Sequence, residues 1–61
     1  MLTLKQIQRR LKGYSSRYVA DFTGLSNTTI WKYQKGRIAD PKHGTMAALC
    51  HFIETEERKN G

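Results

Sequence analysis

An all-α fold is predicted for this chain of 61 residues by three features of its sequence. Apolar residues recur at helical spacing near both ends of the chain. Short polar residues that can cap a helix precede the helical segments, and glycines follow several of them. The length fits one domain and lies near the lower limit for folding without a metal or a disulfide. We therefore predict a single compact domain, residues 1–61, built as a bundle of four helices, or five if a further short turn forms.

The first helix is predicted to start after Thr3 and to run to about Lys12. Thr3 and Gln6 match a capping box, in which each side chain satisfies the backbone N–H of the other residue. Gly13 is expected to stop this helix. One face should pack inward, because it carries apolar residues at helical spacing: Leu4, Ile7 and Leu11.

Residues 16–36 read as two short helices joined by a tight turn. The first helix is predicted over residues 17–23, where Gly24 supplies a positive φ that ends it without steric cost. Ser26 is predicted to cap the second helix by accepting a backbone N–H, and the helix continues over residues 27–35 until Gly36. Two helices at a steep angle with a short Gly-containing turn form the helix-turn-helix DNA-binding unit.

This stretch resembles the helix-turn-helix of the Cro and repressor (XRE-like) family of phage and bacterial regulators, and the resemblance extends over residues 4–53. It implies a lambda-repressor-like fold and a transcriptional repressor that occupies an operator in double-stranded DNA. It also implies a homodimer on DNA, in the cytoplasm of a bacterium or of a phage-infected host. The positions that carry the resemblance are Ala20 at the helix crossing, Gly24, Leu25, Ser26, Ile30, Tyr33, the run Lys35-Gly36-Arg37, Pro41 and Thr45.

The resemblance places base contacts at Asn27, Thr28 and Lys32, on the outward side of the second helix of the motif. Asparagine can bind adenine through N6 and N7, and threonine offers a hydroxyl and a methyl group. Lys32 can reach guanine or a phosphate. For Asn27, capping or simple solvation is the alternative interpretation.

Contacts to the DNA backbone are expected from side chains around this helix. Ser16 begins the motif, and its hydroxyl can contact a phosphate, cap its helix, or do both at once. Ser15 is the other candidate for the cap. Trp31 stands where the family usually has a small polar residue; its indole would cover a thymine methyl group or a sugar, or pack against the first helix. The predicted backbone contacts are Ser16, Arg17, Ser26, Trp31, Lys35, Arg37, Lys42 and His43.

The last helix has two predicted starting points. Asp40 followed by Pro41 is a good helix start, and Thr45 is the second candidate. Phe52 lies off the apolar stripe of this helix, so it either packs sideways or is exposed for self-association. Residues 54–60 are expected to fray. The stripe that closes the core consists of Met46, Leu49, Cys50 and Ile53.

Charge is distributed unevenly along the chain. Residues 1–37 contain eight basic residues and one acid, a net charge of +7, whereas residues 38–61 carry −1, for a total of +6. The basic part coincides with the predicted DNA reader, as attraction to phosphates requires. Arg9, Arg10 and Lys12 on the first helix either touch the DNA backbone or are merely solvated.

Other classes of function are disfavoured by composition. A single cysteine rules out an internal disulfide framework and suits a reducing cytosol, and no apolar run approaches a membrane span. His43, Cys50 and His51 form neither a compact metal-ligand cluster nor a recognisable catalytic arrangement. We therefore expect no enzyme activity, cofactor, metal, small-molecule ligand or membrane contact.

Two other functions compete with the repressor hypothesis. Helix-turn-helix folds also serve as protein-binding inhibitors or adaptors, and a basic surface can bind an acidic protein. The second rival is an architectural DNA factor, such as an excisionase, which bends DNA without repressing a promoter. Sequence-blind DNA binding together with a tight protein partner would favour the first of these.

Overall fold

The computed structural model describes the backbone of residues 2–60 and the side chains of residues 2–59. This part of the chain contains four helices and no strand, which confirms the predicted all-α class. Four helices form rather than five. Met1 and Gly61, the ends of the predicted domain, lie outside the described residues. In chain order the helices are α1 Leu4–Leu11, α2 Ser16–Thr23, α3 Asn27–Lys35 and α4 His43–Asn60.

The predicted capping box of α1 is present in both directions. The Gln6 backbone N–H donates to Thr3 Oγ1 over 3.2 Å, and the Thr3 N–H donates to Gln6 Oε1 over 2.9 Å. At its other end, α1 stops at Leu11, and the C-cap residue Lys12 keeps right-handed dihedral angles. Gly13 does not have a positive φ. It therefore does not end α1 in the left-handed conformation by which glycine stops a helix.

Side-chain caps and two glycines define both ends of α2 and α3. Ser15, rather than Ser16, caps α2 by accepting the Tyr18 N–H over 3.1 Å. Gly24 and Gly36 follow α2 and α3 with φ of 77° and 72°, the left-handed conformation that glycine adopts without strain. Ser26 caps α3, as predicted, by accepting the N–H of Thr29.

All four helices contribute to one apolar core. Helices α1 and α2 each pack against both α3 and α4, so the two short first helices support the other two. Ile38, in the loop before α4, packs against the core, and Cys50 is buried as a small apolar side chain. The buried apolar side chains are Ile7, Leu11, Val19, Ala20, Ile30, Tyr33, Leu49, Cys50, Phe52 and Ile53.

Phe52 lies at the centre of an aromatic cluster and is completely buried. Its ring meets those of Tyr14, Tyr18 and Phe22 edge-on, with centroid separations of 5.0, 5.7 and 5.1 Å. Phe52 therefore packs sideways, which was one of its two predicted positions, and it is not exposed for self-association. The buried face of α4 is wider than the predicted stripe because α4 packs against both α1 and α2.

Both predicted starts of α4 are wrong, and so is the predicted fraying of its end. The helix begins at His43, between Asp40-Pro41 and Thr45, and the Met46 N–H donates to the Lys42 carbonyl over 3.0 Å. At the other end, the helix remains regular through Asn60. Tertiary contacts hold this end, because Glu56 is buried and accepts a hydrogen bond from the Tyr18 hydroxyl.

The Tyr18–Glu56 hydrogen bond predicts an unusual titration. The bond to Glu56, together with partial desolvation and the nearby carboxylate charge, raises the pKa of Tyr18 above its ordinary value of 10.0. A pKa that is higher in the folded than in the unfolded chain means that this contribution to stability is present at neutral pH. It is lost only as the pH rises above 10 through the folded pKa.

An NMR titration of the Tyr18 ring signals checks this prediction. We expect a midpoint above that of tyrosine in a short peptide, and a lower midpoint in Glu56→Gln, which removes the carboxylate charge and keeps a hydrogen-bond acceptor. An identical midpoint in the wild type and the variant would contradict the assigned cause.

Candidate nucleic-acid interface

Helix α3 has one buried side and one polar, solvent-exposed side. Ile30 and Tyr33 face the core, with exposed fractions of 0% and 3%. This division confirms the predicted orientation of α3, because Asn27, Thr28 and Lys32 lie on its exposed side. The exposed residues of α3 are Asn27, Thr28, Trp31, Lys32 and Lys35.

The C-terminal half of α3 is tied to the end of α1. Gln34 Nε2 donates to the carbonyl oxygens of Leu11 and Tyr14, over 3.1 and 2.8 Å. The Leu11 carbonyl also accepts the Tyr14 N–H over 3.0 Å, so Gln34 adds a second donor where the chain leaves α1. At Gly36, a Cβ would lie 2.8 Å from the Gln8 side-chain nitrogen, so the backbone after α3 passes close to α1. The two hydrogen bonds from Gln34 thus fasten the C-terminal half of α3 to Leu11 and Tyr14.

The serines of the region have different surroundings. Ser26 is exposed and caps α3, and its hydroxyl also lies 2.9 Å from Thr29 Oγ1. Ser16 is the first residue of α2 and is half-buried, since Ser15 takes the capping role that was one alternative for Ser16. Ser16 therefore does not cap α2. Its contact with a phosphate stays a prediction.

The basic side chains of the chain are mostly free of acidic partners. Residues 2–59 contain two ion pairs, Arg10 with Glu57 and Lys59 with Glu56, the second with an N–O separation of 3.4 Å. Arg10, for which DNA contact and solvation were the two alternatives, thus forms an ion pair with Glu57 of α4. The basic residues without an ion pair in this part of the chain are Lys5, Arg9, Lys12, Arg17, Lys32, Lys35, Arg37, Lys42 and Arg58.

Two of these basic side chains converge beside α3. Lys32, from the second turn of α3, and Lys42, from the loop before α4, line the same shallow groove, with Asp40 on its rim. His43 begins α4 next to Lys42 and is exposed. The structure therefore brings together one predicted base contact and one predicted backbone contact that lie ten positions apart in the sequence.

Trp31 is a large apolar side chain on the exposed face of α3. It is 44% exposed and is not among the side chains that pack against the core. The Arg37 guanidinium carbon lies 5.7 Å from the centroid of its ring, which is within the range of a cation–π contact. The Gly36 turn permits this contact, because it carries the chain back toward the helix after Lys35.

The comparisons with known proteins add no relative. No protein-family model, curated protein or solved structure matches this chain. The resemblance to the Cro and repressor family therefore stays a prediction that depends on the residues quoted above.

No helix within residues 2–60 is both long and apolar enough to cross a membrane. In the same residues, no three side chains of His, Cys, Asp or Glu gather as ligands for a metal ion.

Proposed function

We propose that this protein is a sequence-specific double-stranded DNA-binding regulator that inserts α3 into the major groove. The observation that carries the proposal is the exposed side of α3. It presents amide, hydroxyl and ammonium groups to solvent, while its other side is held by the core and by Gln34. In this interpretation α2, the Gly24 turn and α3 form a helix-turn-helix, and the protein acts as a repressor by occupying its operator.

The first turn of α3 has the groups that base recognition needs. Asn27 and Thr28 are exposed and adjacent, at the helix end that enters the groove in this docking geometry. An asparagine amide matches the N6 and N7 groups of adenine, and Lys32, one turn further on, matches guanine O6 and N7. Ser26 supplies the cap, so neither Asn27 nor Thr28 is required for that role.

The distribution of charge supports phosphate contacts around α3. The acids that form ion pairs, Glu56 and Glu57, both lie on α4, and they engage Arg10 and Lys59. Lys32, Lys35 and Arg37 stay free of such partners, and release of counterions from DNA would drive their binding to phosphates. Arg17, Lys42 and His43 are also exposed and are proposed backbone contacts.

Selection from a pool of random double-stranded DNA tests this function. A palindromic motif with half-sites about one helical turn apart would support both specific binding and a homodimer on DNA. A single half-site would support the DNA reader without the dimer. No enrichment, with binding that fades at physiological salt, would contradict the proposal.

Arg37→Ala is expected to weaken binding to all DNA sequences alike. Loss of one phosphate contact should lower the slope of log K against log salt concentration by about one unit. Titrations at several salt concentrations, by fluorescence anisotropy, measure the slope. Arg58→Ala, which removes an exposed charge from the far end of α4, is the matched control and should leave the slope unchanged. An unchanged slope in Arg37→Ala would remove this residue from the phosphate contacts.

A protein-binding adaptor is the second candidate, because α2 and α4 expose aromatic surface. Tyr18 and Phe22 are 45% and 39% exposed, and the Phe22 ring lies 6.0 Å from that of His51. A partner protein that covered both rings would remove this apolar surface from water. Phe22→Ser would abolish partner binding in an adaptor, whereas in a DNA reader it should leave the affinity for a selected DNA site intact.

A further inference from the structure

We infer that Trp31 determines specificity by packing its indole against a thymine methyl group in the major groove, beside the adenine that Asn27 binds. This inference rests on the proposed function, because it names one feature of the DNA that the same face of α3 would read. The major groove displays the C5 methyl of thymine as its apolar group, so an apolar side chain can distinguish thymine there.

The position of Trp31 on α3 brings it within reach of the same short run of base pairs as Asn27. The two residues are four apart on one helix, which places their Cβ atoms about 6 Å apart. Successive base pairs are about 3.4 Å apart along the axis, so this separation covers about two steps. The second turn of α3 lies farther from the bases than the first, and an indole is long enough to cover that extra distance.

The surroundings of Trp31 leave one face of the ring for a ligand. The side chain stands outside the core cluster and is 44% exposed, so folding leaves much of the indole accessible. The Arg37 guanidinium carbon lies over one face of the ring, 5.7 Å from its centroid, so the opposite face is the one offered to the base. The guanidinium also carries a charge that suits a phosphate next to the contacted base.

Replacing thymine by deoxyuridine tests the inference, because it removes the methyl group and keeps every hydrogen bond. Thymines of the selected site are replaced one at a time, and affinities are measured for the wild type and Trp31→Ala. At one thymine we expect the wild type to lose about fourfold in affinity, the equivalent of one buried methyl-sized group. Trp31→Ala should bind the two versions of that site equally.

Fluorescence gives a second readout that needs no variant. Trp31 is the single tryptophan of the chain, so the intrinsic tryptophan emission reports on this residue alone. We expect the emission to change on binding, and to change less with the duplex that lacks the critical methyl group. Circular dichroism checks that Trp31→Ala is folded, and Trp31→Phe, with a smaller ring, should retain part of the discrimination.

The outcomes separate this inference from the function on which it rests. The role of Trp31 would be overturned if no deoxyuridine replacement changed the affinity of specific binding. It would also be overturned if Trp31→Ala still distinguished thymine from deoxyuridine. In both cases the proposed function as a DNA reader would remain. An enriched site without thymine beside its adenine would do the same. Failure of the random pool to yield any enriched sequence would overturn both.

Discussion

Phe52→Ala is expected to remove most of the folding stability of this protein. Truncation of a buried phenylalanine costs about 3–5 kcal/mol, whereas a domain of this length has a total stability of roughly 3–9 kcal/mol. Phe52 is fully buried, and three aromatic rings contact its edge or face, so the cavity would open between α2 and α4. Urea denaturation followed by far-ultraviolet circular dichroism measures the loss.

Two variants accompany this experiment. Phe52→Leu keeps most of the apolar volume and should cost clearly less than Phe52→Ala. Phe22→Ala removes a ring of the same cluster from an exposed position, and it too should cost less. An unfolding midpoint for Phe52→Ala close to that of the wild type would show that Phe52 is not the centre of the core.

Asn27→Ala is expected to weaken binding to the selected DNA site by about 1–3 kcal/mol while leaving binding to random DNA unchanged. The reason is that a bidentate contact with adenine is lost, whereas the charges that bind phosphates remain. Anisotropy titrations of both DNAs at one salt concentration measure this difference. It is the most direct test that α3 reads sequence.

Ser26→Ala is the matched control for Asn27→Ala. Ser26 caps α3, so its loss should lower folding stability by about 1 kcal/mol. Because Ser26 is also a predicted backbone contact, its loss should weaken binding to both DNAs alike. Asn27 is exposed and is not the cap, so its replacement should leave the unfolding midpoint nearly unchanged. Equal losses on selected and random DNA in Asn27→Ala would assign this residue a structural role instead.

Local chemistry in the sequence was sufficient to predict most helix boundaries and the exposed face of α3. A capping box needs only Thr3 and Gln6 at the right spacing, and a helix that ends at Gly36 needs only a residue that tolerates positive φ. The division of α3 into a buried and an exposed side follows in the same way from helical periodicity. Each of these signals lies within about one helical turn of the residue that it predicts.

The start of α4 shows where local signals become ambiguous. Asp40-Pro41 and Thr45 are both good helix starts by composition, yet the helix begins between them at His43. Ile38 must reach the core in the same short loop. The position of the first turn is then set by what the loop has to bury, as well as by which residue caps best.

The side-chain contacts between helices could not be predicted from the sequence and are known only from the tertiary structure. Gln34 bonds to carbonyls at the end of α1, and Glu56 accepts a hydrogen bond from Tyr18 across α2 and α4. Arg10 likewise pairs with Glu57, 47 positions away in the chain. The sequence by itself determined the all-α class, the three short helices and the outward side chains of α3, because those depend on neighbouring residues. Only the packing of the helices decided which polar groups meet and that Phe52 is buried, because such contacts join residues that are distant in the sequence.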